Sequence, residues 1–377
     1  MHVEIADLTA LEQHLTQHAS LDGLVVQDLD LSGLSLVLGR LSGSGAVFLG
    51  CVLDPGVADH LRETGAVLFP RLGDRPYRPY RTALYTAEEL LEGMEEDRPA
   101  SFWESSRDAR IYHYYRSHHR PGGPESVLEA LAQRLHDHAM EQAKRELLAE
   151  ERARRPVAIM GGHAMRRDAP AYAEVVRLAA RLAQGGYFMV SGGGPGAMEA
   201  THLGAWLAPY DDLAVEEALA VLAAAPTYRD EGWLPSALEV RRRWPSEQPS
   251  LAIPTWFYGH EPTNLFASHV AKFFSNSLRE DGLLALATHG VVFAPGSAGT
   301  VQEIFMDAAQ NHYGTFELVS PMVFLGTDYW QRERPVEGLL SALSEGRQYA
   351  AQIAYVDAIE DAVAFIEQHP PVPYVAG

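Results

Sequence analysis

One stretch of the sequence carries residue types that could hold an anion and act on what it is attached to: Ala294-Pro295-Gly296-Ser297-Ala298-Gly299-Thr300-Val301-Gln302-Glu303. The apolar run Gly290-Val291-Val292-Phe293-Ala294 leads into it, and a helix-like run, Ile304 to His312, follows. Strand, small-residue turn and helix in that order describe a phosphate cradle. Glycine lets backbone N–H groups approach an anion, and the helix N-terminus adds partial positive charge. Gly296, Ser297, Ala298 and Gly299 form the turn, and Thr300 offers a hydroxyl. Glu303 falls about one turn inside the helix, beside whatever group the phosphate carries. By itself Glu303 is also an ordinary first-turn acid favoured by the helix dipole. The cradle beside it is what gives it a chemical reading.

Two further glycine turns follow apolar runs. Pro156-Val157-Ala158-Ile159-Met160 ends in Gly161-Gly162-His163, and Gly186-Tyr187-Phe188-Met189-Val190-Ser191 runs into Gly192-Gly193-Gly194-Pro195-Gly196-Ala197-Met198-Glu199. Between and beyond them the pattern predicts helices over Ala169 to Ala183, Asn264 to Leu286, Val336 to Leu343 and Ile359 to His369. It predicts strands at Ser250 to Pro254, Pro321 to Gly326 and Ile353 to Val356. Alternating strands and helices make an α/β fold with a doubly wound parallel sheet flanked by helices. Ligands of such sheets bind at the carboxyl ends of the strands, so the three turns are expected to converge on one crevice. The stretch 208–249 interrupts the alternation and reads as an insertion that covers or flanks it.

Neither longer turn fits a dinucleotide fingerprint. Pro195 stands where the helix should begin, and no acidic strand end follows about 20 residues later. A triphosphate-binding P-loop is absent from the sequence as well. No cofactor and no metal is expected. The chain's two lysines, Lys144 and Lys272, lie in no recognisable pyridoxal-phosphate context.

The 377 residues, 47% hydrophobic and 21% charged, suit two soluble domains. A net charge of −20 argues against nucleic-acid or anionic-membrane partners, and no apolar run approaches the ~20 residues that span a bilayer. With Cys51 the sole cysteine, no intrachain disulfide is possible, and a cytoplasmic location is expected. The basic clusters at Arg152, Arg154, Arg155 and Arg241-Arg242-Arg243 read as solvated helix faces. Residues 1 to about 75 read as a small α/β unit, with strands at 46–50 and 66–70, a helix at 55–64 and a turn-rich strand edge at Leu29 to Leu34. Pro70 to Tyr80 reads as a linker or loop. Helical patterns at 88–92, 111–115 and Ser126 to Arg152 complete an accessory region, 1–150, before a nucleotide-binding domain, 151–377.

The pair Ser191-Gly192-Gly193-Gly194-Pro195-Gly196-Ala197-Met198 and Pro295-Gly296-Ser297-Ala298-Gly299-Thr300-Val301-Gln302-Glu303 resembles the paired signature of the LOG family. These are Rossmann-like phosphoribohydrolases, once labelled lysine decarboxylases, which include cytokinin-activating enzymes and nucleotide 5′-monophosphate nucleosidases. The resemblance covers roughly residues 156 to 369. It implies cleavage of the N-glycosidic bond of a nucleoside 5′-monophosphate, with Glu303 on the family's catalytic glutamate and Arg279 as its arginine partner. It implies that Gly296 to Thr300, Gly192, Gly193, Gly194, Gly162, His163 and Glu199 bind phosphate or sugar, and that the chain forms a homodimer or higher oligomer. Ser297 replaces the family's second turn glycine, Gln302 a glutamate, and Glu280 a lysine. Those departures leave open a nucleotide sensor of the same fold. His163, Asn264 and His269 are candidates for meeting the departing base. Asp307, His312 and Tyr313 read as a solvated or subunit face.

Overall fold

The computed structural model describes residues 3–95, 97–120, 123–150 and 155–375. Arg152 and Arg154, with the expected end of one helix and start of the second domain, lie outside the described residues. The chain forms two compact units, Met1–Ala83 with Arg116–Ala143, and Leu84–Tyr115 with Lys144–Gly377. Segment 84–115, expected with the accessory region, therefore belongs to the second unit.

In the first unit β1 (Val3–Ile5), β2 (Leu24–Gln27), β3 (Val47–Leu49) and β4 (Val67–Phe69) form a parallel sheet in that order. The helix Leu8–His18 starts where Asp7 Oδ1 accepts from Ala10 N at 2.8 Å, and it buries Leu11 and Leu15, four residues apart. Leu24, Val26, Phe48 and Leu61 complete that core. The alternation at Leu29 to Leu34 makes only a bridge from Asp30 to Val52 and a 3-10 turn, Ser32–Leu34. The Asp30 carboxylate accepts from Ser32 N at 3.1 Å and turns the chain out of the sheet.

The second unit holds the larger sheet: β5 (Pro156–Met160), β6 (Phe188–Ser191), β7 (Ser250–Ala252), β8 (His269–Val270), β9 (Val291–Phe293), β10 (Met322–Leu325) and β11 (Ile353–Val356). Their order is β8-β7-β6-β5-β9-β10-β11, and every pairing is parallel. This is an α/β, doubly wound sheet. The chain winds outward from β5 to β8, then returns to the other side of β5 as β9. The switch point, where a crevice opens, lies between β5 and β9. Both faces are covered, so Val157, Ile159, Met189, Val190, Val292 and Val323 are fully buried, as continuous apolar strands require.

Helix does not extend from Asn264 to Leu286; only Asn276–Leu286 is helical. Ahead of it, Val270 pairs with β7 on one side and exchanges both backbone bonds with Tyr85 on the other, at 3.0 and 2.8 Å. Lys272 is anchored next to it, its ammonium 2.8 Å from each Asp108 carboxylate oxygen. Asp108, on the helix Arg107–Ser117, also accepts from Trp256 Nε1 at 2.7 Å and Thr263 Oγ1 at 2.9 Å. Burial alone would raise this carboxyl, but Lys272 and His260 more than offset it and hold it below the usual carboxylate range. The network ties segment 84–115 to the large sheet and commits Lys272 to a structural charge pair.

The insertion 208–249 forms two helices, Asp212–Ala223 and Trp233–Arg243, whose Val215, Leu222, Trp233 and Val240 enter the main core. Close approach of backbones decides one position nearby. The helix Ala197–Leu207 meets the helix Pro170–Gln184 at Gly204, where a methyl would stand 2.2 Å from Val176 O and 2.6 Å from Ala179 Cβ. Gly204→Ala is therefore expected to destabilise the protein by about 2 kcal/mol, read as a lowered denaturant midpoint, since the clash is with backbone that cannot yield.

Candidate functional site

Three turns meet at the switch point through backbone bonds. After β5, Gly162 N donates to Pro295 O at 3.0 Å, and Ala197 N, at the head of the helix after β6, donates to Gly162 O at 3.2 Å. Side chains are excluded from these approaches. A methyl on Gly162 would stand 3.3 Å from Pro295 O, and one on Gly196, whose φ is +76°, would stand 2.4 Å from Gly162 O. The expected convergence of the three glycine turns is thus observed.

The helix Ala298–Tyr313 opens with Val301 N donating to Ser297 O at 3.0 Å. The amides of Ala298, Gly299 and Thr300 come before that first intrahelical bond, and Ser297, Ala298 and Gly299 are exposed. The helix therefore presents an open N-terminus to the crevice. Thr300 is buried, its hydroxyl tucked against Gly296; a methyl on that glycine would stand 2.2 Å from Thr300 Oγ1. From the π-helical turn Tyr329–Glu333 after β10, the Tyr329 hydroxyl donates to Gly296 O and fixes the turn. Nothing in the sequence pattern singled out Tyr329.

Arg279 and Glu303 come together. Arg279, on the first turn of Asn276–Leu286, donates Nε to Ile253 O at 3.0 Å, and its Nη1 stands 3.8 Å from Glu303 Oε1. Its Nη2 points at the second turn, 2.9 Å from where a methyl on Gly192 would be. Glu303 is largely buried. Burial pushes its carboxyl up to about 7; Arg279 draws it down and Glu280 drives it up. The residue is therefore poised between its two protonation states at neutral pH. The two departures nearest this pair bond each other, Gln302 Nε2 donating to Glu280 Oε2 at 2.9 Å. Tyr258 donates its hydroxyl to Glu280 Oε1 at 3.1 Å and accepts from Asn276 Nδ2 at 2.9 Å, extending the chain to the surface.

The Gly192-Gly193-Gly194 turn is packed from below by Met198 and from the side by Pro254, each closer than a methyl on glycine would allow. The fully buried His202, which sequence reasoning passed over, binds Gly192 O through Nε2 and Ser250 Oγ through Nδ1, both at 3.1 Å. Burial lowers it to about 4, so it is neutral and holds the turn without adding charge. Above Gly194 lies the Glu261 carboxylate, also unforeseen.

Other expected residues fall elsewhere. Glu199, read as a ligand contact, is buried in a pair with Arg167, whose Nε donates to it at 2.9 Å, and Tyr172 donates to the same carboxylate at 3.0 Å. Its oxygens are taken because Arg167 needs a counter-charge where it braces the insertion through Trp233 O and Ser236 Oγ. Exposed His163 lines, with Gly196, Glu199, Tyr228 and Trp233, a cavity of about 350 Å³ beside the turns. Asn264 is buried and bound to Phe266 N and Met198 O, while His269 stands on the edge strand β8. Asp307 is not solvated: it is buried, Oδ2 has no partner among the described residues, and burial pushes the carboxyl up to about 8. Among the described residues no histidine, cysteine and acid group suited to a metal is found, and no helix is long and apolar enough to cross a membrane.

No family model matches the chain, and no curated protein does. Among solved structures it is similar to the molybdenum cofactor binding protein of the phototrophic bacterium Rippkaea orientalis, at 14% identity over 57% of this chain and 96% of that one, with a TM-score of 0.37. It is similar to the molybdenum cofactor carrier protein of Chlamydomonas reinhardtii, at 16% identity over 57% and 96%, with a TM-score of 0.36. A structural-genomics target gives 19% identity over 57% and 99%, with a TM-score of 0.34. The LOG resemblance thus rests on the residues of the turns themselves.

Proposed function

We propose that the protein is a hydrolase that cleaves the N-glycosidic bond of a nucleoside 5′-monophosphate, giving free base and ribose 5-phosphate. The observation that carries this reading is the pairing of Arg279 with a buried Glu303 beside the open helix N-terminus at Ser297 to Thr300. A helix N-terminus with unsatisfied amides favours a phosphate, and its dipole adds to the attraction. A sugar attached to that phosphate then lies within reach of the glutamate one turn along.

The chemistry follows from charge. As the bond from C1′ to the base nitrogen breaks, the electron pair leaves with the base and the ribosyl group becomes oxocarbenium-like. The ionised Glu303 carboxylate stabilises that positive charge in a site shielded from water, where electrostatic interactions are strong. It then accepts a proton from the water that adds to C1′, while the departing base nitrogen takes up a proton from solvent, so that water's hydrogen and hydroxyl are both accounted for. Arg279 keeps the carboxylate oriented and offers a planar fork to substrate oxygens. A homodimer or higher oligomer is part of this reading.

A nucleotide sensor is the second reading, drawn from Ser297, Gln302 and Glu280. The bond between Gln302 and Glu280 weighs against it, because the two departures satisfy each other's hydrogen bonds and leave Arg279 beside Glu303. Incubation with a panel of nucleoside monophosphates, followed by chromatography for free base, separates the two. Release of one base supports the hydrolase; a raised melting temperature with no base released supports the sensor. In the hydrolase, Glu303→Gln lowers kcat by about 10²-fold or more while nucleotide binding, measured by calorimetry, stays near wild type. A fully active variant would overturn the assignment.

The pH profile carries a second expectation. The raised carboxyl of Glu303 must lose its proton to act, so kcat/KM rises about tenfold per pH unit below 7 and levels off above it. The same group affects stability with the opposite sign. Its folded value exceeds the unfolded one, so its contribution is full below about 4.5 and is lost as pH rises through 7. Glu303→Gln should therefore raise Tm at pH 8 and have little effect at pH 4.

A further inference from the structure

The reading above leaves one charged group at the crevice without a role. Glu261 lies on the loop between β7 and β8, and its Oε2 stands 2.9 Å from where a methyl on Gly194 would be. The absence of a side chain at 194 is what admits the carboxylate. The same loop is held down beside the turn, since Pro254 packs against Gly193 and Tyr258 bonds Glu280 and Asn276. Glu261 is half-buried, and among the described residues it has no hydrogen-bond or ion-pair partner. An ionised carboxylate only accepts hydrogen bonds, so the group facing it must bring donors.

That requirement divides the crevice. A phosphate next to Glu261 would set like charges together at a carboxylate with no ion-pair partner among the described residues, whereas the amides of Ala298 to Thr300 head a helix whose dipole favours an anion. The anion therefore belongs on the turn after β9, and the uncharged part of the ligand on Gly192 to Gly194. Arg279 marks the position of the reacting sugar carbon, since it points at Gly192 with one nitrogen and stands 3.8 Å from Glu303 with another. Glu261 faces the same turn two residues on. A nucleotide's donors at that point are its sugar hydroxyls.

We propose that Glu261 is a substrate-binding residue that accepts hydrogen bonds from the vicinal hydroxyls of a ribosyl 5-phosphate group, so that the crevice takes ribonucleotides in preference to 2′-deoxyribonucleotides. The proposal rests on the nucleotide reading of the site but not on turnover. A charge-assisted acceptor of this kind discriminates by about 10- to 100-fold against a ligand lacking the donor.

The test uses the full chain and two sugar phosphates that cannot be cleaved further, ribose 5-phosphate and 2-deoxyribose 5-phosphate, titrated calorimetrically into wild type and Glu261→Gln. Wild type should prefer the ribose compound by about 10-fold or more, and the variant should reduce that preference to about threefold or less. Unchanged melting temperature of the unliganded variant shows that it folds, and Glu261→Asp should recover part of the preference. Equal discrimination in wild type and Glu261→Gln overturns the role of Glu261 and leaves the hydrolase reading standing. Discrimination that depends on Glu261 in a protein releasing no base supports the role of Glu261 and overturns the hydrolase. A variant that alters the choice between adenosine and inosine monophosphates while keeping its sugar preference places Glu261 at the base and overturns the proposal. If neither sugar phosphate binds wild type, the proposal fails.

Discussion

The structure of the second unit depends on bringing three backbone turns within hydrogen-bond distance at the point where the sheet reverses direction. Gly162 N reaches Pro295 O, and Ala197 N reaches Gly162 O. Each contact requires that no Cβ stand in the way, which is why glycines recur at 162, 196 and 296. The requirement is steric before it is chemical. Once met, it leaves a helix N-terminus open at Ser297 to Thr300 and a glycine turn at 192 to 194 beside it.

Charge is distributed with equal economy around that junction. Among the described residues of the second unit, two fully buried ion pairs, Arg167 with Glu199 and Lys272 with Asp108, serve architecture: one braces the insertion, the other ties the helix Arg107–Ser117 to the sheet. Their cations are wholly committed, as buried charges must be. Arg279 is different. Its approach to Glu303, 3.8 Å, is longer than a hydrogen bond; Nε donates to Ile253 O, and Nη2 faces the glycine turn. A loosely paired arginine beside a carboxylate held near neutrality by burial is an arrangement that a binding or reacting group could complete.

The network from Gln302 through Glu280 to Tyr258 and Asn276 shows how a site tolerates altered residues. Where the signature it resembles has a lysine and a glutamate, this chain has Glu280 and Gln302, and the two hydrogen-bond each other. The loop carrying Tyr258 is thereby fixed over the crevice, and with it Glu261.

The residues alone determined six of the seven strands from 156 to 356 and the three glycine turns, because each is a local pattern, an apolar run or a turn chemistry; the pairing of Glu303 with Arg279 was implied only by the family resemblance. Tertiary structure decided the rest. The stretch before Asn276 looked helical by composition, yet its backbone is taken by β7 and Tyr85, partners that no local window contains. Glu199 looked free to meet a ligand until Arg167, 32 residues upstream, claimed it. Asp307 read as part of a solvated or subunit face, yet packing buries it within the chain. Tyr329, His202 and Glu261 carry no motif at all; they matter through what the fold sets them against. Local sequence fixes which backbone shapes are affordable, but which side chain meets which depends on long-range pairing that only the folded chain settles.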